Sequence, residues 1–140
     1  MGGNGTSTNG AGIPILVVDD NEVNAKLLGT TLTLEGHQVQ VARDAEETMA
    51  VLAGFEPRLI FMDIQLPGID GLELTRRLKA DPHWSSVPVI AVTAYAREED
   101  RERSLQAGCD GYLAKPIDTR ALAGVVDGCV GGNCDGGCGA

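Results

Sequence analysis

Five polar side chains that could do chemistry together each stand directly after a short apolar run of the chain. They are Asp19 and Asp20, Asp63, Thr93 and Lys115. Three neighbouring carboxylates repel one another unless a cation compensates, and a ligand set made only of oxygen selects a hard ion such as Mg²⁺ or Mn²⁺. A carboxylate beside a cation can act as a nucleophile toward phosphorus, while an ammonium and a hydroxyl bind phosphoryl oxygens. Together these residues predict an aspartyl-phosphate site.

Taken singly, each of these residues also has an ordinary structural explanation. An aspartate after a strand is often a helix N-cap, and either Asp20 or Asn21 is expected to cap the first helix. A threonine at a strand end is commonly structural, and a lysine is commonly a solvated surface charge. The functional interpretation therefore depends on all five residues meeting at one place in the fold.

The elements that must position these residues alternate regularly along the chain. Strands are predicted at Ile13–Val18, Gln38–Ala42, Leu59–Met62, Val87–Val92 and Tyr112–Ala114. Helices are predicted at Glu22–Leu34, from an N-cap at Asp44 to Ala53, from an N-cap at Asp70 to Ala80, at Arg97–Ala107 and from Asp118 to about Val130. In the first helix, the face at helical spacing consists of Val23, Leu27, Leu28, Thr31 and Leu34. In the third helix, the residues expected to point inward are Leu72, Leu74 and Leu78.

Strands that are apolar throughout, separated by helices, predict a parallel sheet covered on both faces. Right-handed crossovers then give an α/β, doubly wound (βα)5 three-layer sandwich, and the strand order 2-1-3-4-5 is the flavodoxin-like solution. Such sheets bind ligands outside the carboxyl ends of their strands. In this order the first and third strands are neighbours, so the three aspartates are expected to converge.

Composition limits the classes of function. The 140 residues suit one domain, and the net charge of −9 argues against a nucleic-acid surface. No apolar run approaches the roughly 20 residues of a membrane span, and the N-terminus lacks the features of a signal peptide. We expect a cytoplasmic domain at 13–130, a disordered segment at 1–12 and a flexible Gly/Cys-rich tail at 131–140.

The cysteines do not predict a disulfide framework or a metal site. Cys129, Cys134 and Cys138 lie in or beside the glycine-rich tail, at a spacing unlike that of a zinc ribbon and with no histidine nearby. Cys109 is expected to be a small core residue.

Four segments of the sequence resemble the response-regulator receiver family of two-component signalling, in particular its single-domain, chemotaxis-regulator-like members. They are ILVVDDNEVNAKLL, LIFMDIQLPGIDGLEL, PVIAVTAYA and GCDGYLAKPI. They match the family in order, spacing and neighbours, and with the helices between them they span roughly Ile13 to Val130.

The resemblance implies a phosphorylation site and a metal site. Asp63 corresponds to the phosphorylated aspartate. Asp19 and Asp20, with Asp63 and the backbone carbonyl of Gln65, correspond to the ligands of Mg²⁺ (or Mn²⁺). Lys115 corresponds to the lysine that pairs with the aspartate and then with the phosphoryl oxygens.

The resemblance also implies a switch. Thr93 would bind the phosphoryl group and Tyr112 would then turn inward, although packing of this tyrosine at the sheet edge is an equally simple explanation. The peptide bond between Lys115 and Pro116 is expected to be cis, as X-Pro bonds allow. Gln65 and Tyr95 are expected to tune the lifetime of the phosphoryl group.

The expected donor is a phosphohistidine on a histidine kinase or a histidine phosphotransfer protein. The expected output face, residues 97–130, would contact an unknown downstream protein, either as a monomer or as a phosphorylation-dependent dimer. The charges of the helix within it are most simply explained as a solvated face, which is compatible with a partner surface. Such a phosphoacceptor is not an enzyme acting on a separate substrate. Two alternatives remain, an interaction domain that works without phosphorylation and an aspartyl-phosphate phosphohydrolase, although the latter usually has a second acid where this chain has Gln65.

Overall fold

The computed structural model describes residues 13–64, 71–93 and 98–114, together with Leu122 and Val126. The strands are β1 Pro14–Val18, β2 Gln38–Ala42, β3 Leu59–Asp63, β4 Val89–Thr93 and β5 Gly111–Ala114. The helices are α1 Glu22–Leu34, α2 Ala45–Leu52, α3 Gly71–Ala80 and α4 Glu98–Ala107.

The five strands form one parallel sheet in the order β2-β1-β3-β4-β5, which confirms the predicted topology. The central strands β3 and β4 are buried along their whole length, because helices cover both faces. Successive side chains alternate between two separate cores, so that Ile15 and Phe61 lie in one and Leu16 and Ile60 in the other. The sheet is therefore the middle of three layers.

Each face of the sheet is covered by particular helices. The first core joins α1 with Leu122 and Val126, two buried helical residues four positions apart in the region of the predicted last helix. The second core contains α3, through Leu72, Leu74 and Leu78 as predicted, with contributions from the ends of α2 and α4. Cys109 is buried in the second core, which agrees with the prediction for this residue.

The predicted inward face of α1 is wrong. Of the five residues expected there, Leu28 alone is fully buried, while Val23 and Leu34 are 77% and 82% exposed. The helix instead packs through Ala25, Leu28 and Leu32. These residues also follow the helical period, so the sequence of α1 contains two overlapping apolar faces. The helix packs on the sheet through the face that includes the small side chain of Ala25.

Several element ends differ from the predicted ones. Val87 precedes β4 instead of starting it, because its N–H donates to Trp84 O at 3.0 Å within a turn. Asp63 and Thr93 are the last residues of their strands instead of the first residues after them. Gly36 and Gly108 follow α1 and α4 with φ of 96° and 104°, the left-handed conformation that favours glycine after a helix.

Some predictions concern residues outside the described part of the chain. These are the terminal segments 1–12 and 131–140, the capping role of Asp70, and the remaining residues of the predicted last helix. Among the helices that the structure describes, none combines the length and apolarity needed to cross a bilayer.

Lys79, at the end of α3, connects three segments at the end of the sheet opposite the carboxyl ends of the strands. Its Nζ donates to Val87 O at 2.8 Å and to Ser85 O at 3.3 Å, and it forms an ion pair with Asp110 Oδ2 at 2.8 Å. The same Asp110 oxygen accepts from the N–H of Val89, the first residue of β4, at 2.9 Å. The lysine side chain is only 18% exposed, so these bonds are partly shielded from water.

Replacing Lys79 with methionine is expected to lower the free energy of unfolding by about 2 kcal/mol, because the change leaves shielded acceptors without their donor. Urea denaturation followed by circular dichroism measures this loss. Arg76→Met is the matched control, since its ion pair with Glu73 is exposed and should contribute less than about 1 kcal/mol. Equal losses in the two variants would contradict a structural role for Lys79.

Burial raises the pKa of the Cys109 thiol from 9.0 to about 11, with a side-chain hydrogen bond to Thr75 acting in the opposite direction. Well below pH 9 the thiol is protonated in both the folded and unfolded states, and its contribution to stability is fully present. Between pH 9 and 11 the unfolded state ionises first, so we expect stability to fall by up to roughly 3 kcal/mol. Urea titrations across this range, compared with Cys109→Ala, should show a steeper fall for the unsubstituted protein, and parallel curves would argue against it.

Candidate functional site

The register of the sheet brings the candidate residues to one edge. Val18 pairs with Met62, so the next residues, Asp19 and Asp63, lie at the same level on neighbouring strands. Asp63 in turn pairs with Val92, which places Thr93 one residue further along β4. This edge is formed by the carboxyl ends of the strands, where doubly wound sheets bind their ligands.

Three carboxylates form a cluster at this edge. One oxygen from each of Asp19, Asp20 and Asp63 lies within 4.8 Å of the other two. Asp19 and Asp63 are 1% and 2% exposed, whereas Asp20 is open to solvent. The site therefore combines two buried charges with one side from which an ion can enter.

The donor set of this cluster fits a hard divalent cation. Carboxylate oxygens are the ligands that Mg²⁺ and Mn²⁺ prefer, and Mg²⁺ keeps several waters beside one or two carboxylates. Two buried like charges at close range destabilise the fold unless a cation offsets them. The three aspartates can therefore hold such an ion.

The start of α1 fixes the position of Asp19. Its backbone N–H donates to Ala42 O at 3.0 Å, and its Oδ1 accepts from the N–H of Asn21 at 2.8 Å. Asn21 caps the helix through its own Oδ1, which accepts from the N–H groups of Val23 and Asn24 at 2.9 and 3.1 Å. Of the two cap candidates, the structure selects Asn21, and Asp20 remains available at the mouth of the cluster.

Asp63 is held by the end of β3. The following residue, Ile64, continues the sheet pattern by donating its N–H to Val92 O at 3.1 Å. The first residue of α3, Gly71, then donates to Ile64 O at 3.3 Å, so the chain returns to the strand end after the segment 65–70. Sequence reasoning did not single out Gly71, although its place after Asp70 at the start of a predicted helix was visible.

Thr93 and Tyr112 lie on the same face of the sheet. Thr93 is completely buried at the end of β4 and pairs with Ala114, while Ala91 pairs with Tyr112, so the alternation of β4 and β5 turns both residues one way. Tyr112 is half-buried and packs against the second core. This agrees with packing at the sheet edge.

Four residues with predicted roles lie outside the described part of the chain. They are Gln65, Tyr95, Lys115 and Pro116. Lys115 directly follows Ala114, the residue that pairs with Thr93. The roles given to these four residues, including the cis peptide bond, remain predictions.

Comparison with known proteins identifies the family. Residues 15–127 match the family model of the response regulator receiver domain. The chain belongs to this family. The receiver domain is 43% identical to the polar-differentiation response regulator DivK of Brucella anthropi over 103 residues. This match covers 74% of the chain and 84% of the relative. The DivK of Brucella ovis matches with the same identity and coverage.

Solved structures agree with this assignment. The receiver domain of a sensor histidine kinase from Pseudomonas aeruginosa PAO1 is 36% identical, with a TM-score of 0.79 over 86% of this chain and 99% of that one. That structure has a magnesium ion coordinated in its active site cleft. The chemotaxis response regulator CheY4 of Vibrio cholerae shares the fold, with a TM-score of 0.78 and 22% sequence identity. The match covers 84% of this chain and 98% of that one. The present receiver domain is thus a component of two-component signalling with a phosphoacceptor role.

Proposed function

We propose that the receiver domain accepts a phosphoryl group on Asp63, with Mg²⁺ (or Mn²⁺) bound beside it, and that this changes the surface it presents to a partner. The observation that carries the proposal is the cluster of Asp19, Asp20 and Asp63 at the carboxyl ends of β1 and β3. A cluster of buried acids supplies both the nucleophile and the cation ligands that phosphoryl transfer to a carboxylate requires.

The metal would be held by side chains from two elements. Asp19 and Asp20 lie between the end of β1 and the N-cap of α1, and Asp63 ends β3, with the backbone carbonyl of Gln65 as a further ligand by family resemblance. When bound, the ion neutralises charge on the phosphoryl oxygens. This assignment is supported by the magnesium ion in the active site cleft of the related histidine-kinase receiver domain.

Transfer would take place in line. A carboxylate oxygen of Asp63 attacks phosphorus, the bond from phosphorus to the imidazole nitrogen of the donor histidine breaks, and the electron pair of that bond leaves with the imidazole. The donor would be a histidine kinase or a histidine phosphotransfer protein. Lys115 and Thr93 would bind the phosphoryl oxygens, since an ammonium and a hydroxyl can both donate to them.

Phosphorylation would be communicated through Thr93 and Tyr112. The new oxygens would draw the buried threonine hydroxyl inward, and the tyrosine, on the same face of the sheet, would fill the space that this movement opens. The affected surface would be α4, β5 and the helix predicted after them, roughly residues 97–130. Exposed charges of α4, such as Arg101 and Glu102, would be available to a partner there.

The domain would act as a signalling phosphoacceptor in the cytoplasm and not as an enzyme with a separate substrate. It would catalyse its own phosphorylation and slow dephosphorylation, at a rate tuned by Gln65 and Tyr95. It would work as a monomer or as a phosphorylation-dependent dimer.

Intact-mass spectrometry after incubation with acetyl phosphate tests the proposal. We expect one added phosphoryl group that requires Mg²⁺ and is removed by hydroxylamine, as an acyl phosphate is and a phosphoserine is not. Absence of the adduct at saturating Mg²⁺ would favour an interaction domain that works without phosphorylation. Continuous release of phosphate from a generic phosphate ester would favour a phosphohydrolase.

A further inference from the structure

We propose that Gly71 is a positioning residue for the metal site, and that its lack of a side chain sets Asp63 at the separation from Asp19 that Mg²⁺ requires. The proposal rests on the proposed function, because it concerns the same carboxylate cluster. It adds a residue from α3 that touches neither the ion nor the phosphoryl group.

The backbone of Gly71 packs directly against the residue that carries the nucleophile. A Cβ added at this position would overlap the backbone oxygen of Asp63, and would lie 2.8 Å from both Asp63 C and Ile64 Cα. Side-chain carbons essentially never approach backbone atoms this closely, so any substitution must displace one of the two segments. The φ angle of Gly71 is not positive, so a side chain is excluded here by the close approach and not by an unusual conformation.

The helix side of this contact is firmly held. Leu72 and Leu74 are buried in the second core, and the hydroxyl of Thr75 donates to Gly71 O at 2.8 Å. Thr75 is itself completely buried and forms a side-chain hydrogen bond with Cys109, just before β5. Because α3 is anchored at these points, we expect the overlap to be relieved at the end of β3, where Asp63 and Ile64 stand.

The other half of the metal site would not follow such a movement. Asp19 is held from β2 and from the start of α1, because its N–H donates to Ala42 O and its Oδ1 accepts from the N–H of Asn21. A substitution at Gly71 would therefore change the distance between the carboxylates of Asp63 and Asp19, and leave the local structure around Asp19 intact.

A change in this distance should affect ions differently. Mg²⁺ demands near-ideal octahedral geometry at about 2.0–2.1 Å, whereas Ca²⁺ accepts irregular sites at about 2.3–2.6 Å. We therefore expect Gly71→Ala to lower Mg²⁺ affinity by about tenfold or more, the size of effect seen when a group supporting a metal ligand is altered. Ca²⁺ affinity should change by less than about threefold, since flexible coordination tolerates the displacement.

The experiment is calorimetric titration of the full chain with each ion alone, in the unsubstituted protein and in Gly71→Ala. The readout is the ratio of Mg²⁺ to Ca²⁺ affinity, because a simple loss of folded protein lowers both affinities together. Acetyl-phosphate labelling at saturating Mg²⁺ provides a second readout and should be slower in Gly71→Ala.

Two other glycines provide matched controls. Gly108→Ala is strained by a φ of 104° and brings a Cβ to 2.9 Å from Lys79 Cγ, at the opposite end of the sheet. It should destabilise the fold and leave the affinity ratio unchanged. Gly54→Ala places its Cβ in open space and should change neither the stability of the fold nor the ratio of Mg²⁺ to Ca²⁺ affinity.

The outcomes separate the two proposals. Failure of the unsubstituted protein to bind Mg²⁺ or to be labelled would sink the proposed function itself. Normal binding by that protein, with an unchanged ratio in Gly71→Ala, would overturn the role of Gly71 alone. If Gly71→Ala does not fold, the measurement is repeated in a protein stabilised by Gly29→Ala. Gly29 lies inside α1, where alanine has the higher helix propensity, and the added Cβ would lie at an ordinary contact distance of 3.8 Å from Val39 Cγ1. A variant unfolded in both backgrounds would show a requirement of the fold and would also overturn the proposal.

Discussion

Asp63→Asn is expected to eliminate the phosphoryl adduct formed with acetyl phosphate, at every Mg²⁺ concentration. An amide is a poor nucleophile toward phosphorus, and the other two carboxylates of the cluster, Asp19 and Asp20, are assigned to the ion. Intact-mass spectrometry of both proteins under identical conditions measures the effect. Asp81→Asn is the control, because that carboxylate lies after α3 and accepts from the N–H of His83, a bond that an amide oxygen preserves.

The same variant should gain less stability from Mg²⁺ than the unsubstituted protein does. Asp63 is buried and is one of the three carboxylates that can hold the ion, and an amide carries no charge to attract it. Thermal unfolding with and without Mg²⁺ should therefore show a smaller Mg²⁺-induced rise in Tm. If Asp63→Asn still forms the adduct in normal yield, Asp63 is not the acceptor. If Mg²⁺ raises the Tm of the variant as much as that of the unsubstituted protein, Asp63 is not a ligand of the ion.

Asp19→Asn is expected to reduce Mg²⁺ affinity on the order of a hundredfold or more. At an effective dielectric constant near 20, a unit charge about 4 Å from another contributes about 4 kcal/mol, and the ion carries two charges. Asparagine retains the oxygen that accepts from the N–H of Asn21, so the start of α1 should keep its structure. Calorimetric titration with Mg²⁺ measures the affinity, and labelling with acetyl phosphate should fall in parallel.

The exposed member of the cluster offers an internal comparison. Asp20→Asn should weaken Mg²⁺ binding less than Asp19→Asn, because water screens an exposed charge more strongly than a buried one. Asp44→Asn is the control, since Asp44 caps α2 and asparagine is an equally good cap. Unchanged Mg²⁺ affinity in Asp19→Asn would show that the ion is not held by this cluster.

Much of the fold could be predicted from the sequence because its signals are local. Uninterrupted apolar runs such as Leu59–Met62 are typical of strands buried on both faces, and the helical windows between them require parallel crossovers. Asp44 was correctly predicted as an N-cap, since the bond it accepts from Glu47 N–H spans only three residues. The phosphoacceptor role of Asp63 came from the resemblance of the segment LIFMDIQLPGIDGLEL to receiver domains, and it stays a prediction.

The packed face of α1 was decided only by the tertiary structure. Two overlapping sets of apolar residues follow the same helical period, and the contact with the sheet chose Ala25, Leu28 and Leu32. Local periodicity cannot separate such sets, because the difference lies in how closely each lets the helix approach the strands.

For the candidate site, too, some features follow from the sequence and others only from the tertiary structure. The sequence by itself determined which residues carry charge and hydroxyl groups at the ends of strands, since side-chain chemistry and strand order follow from local patterns. Only the tertiary structure decided that oxygens of Asp19, Asp20 and Asp63 lie within 4.8 Å of one another, and that the backbone of Asp63 leaves no room for a Cβ at Gly71. Those distances arise from the register between strands and the seating of α3, which are set by contacts between segments far apart in the chain.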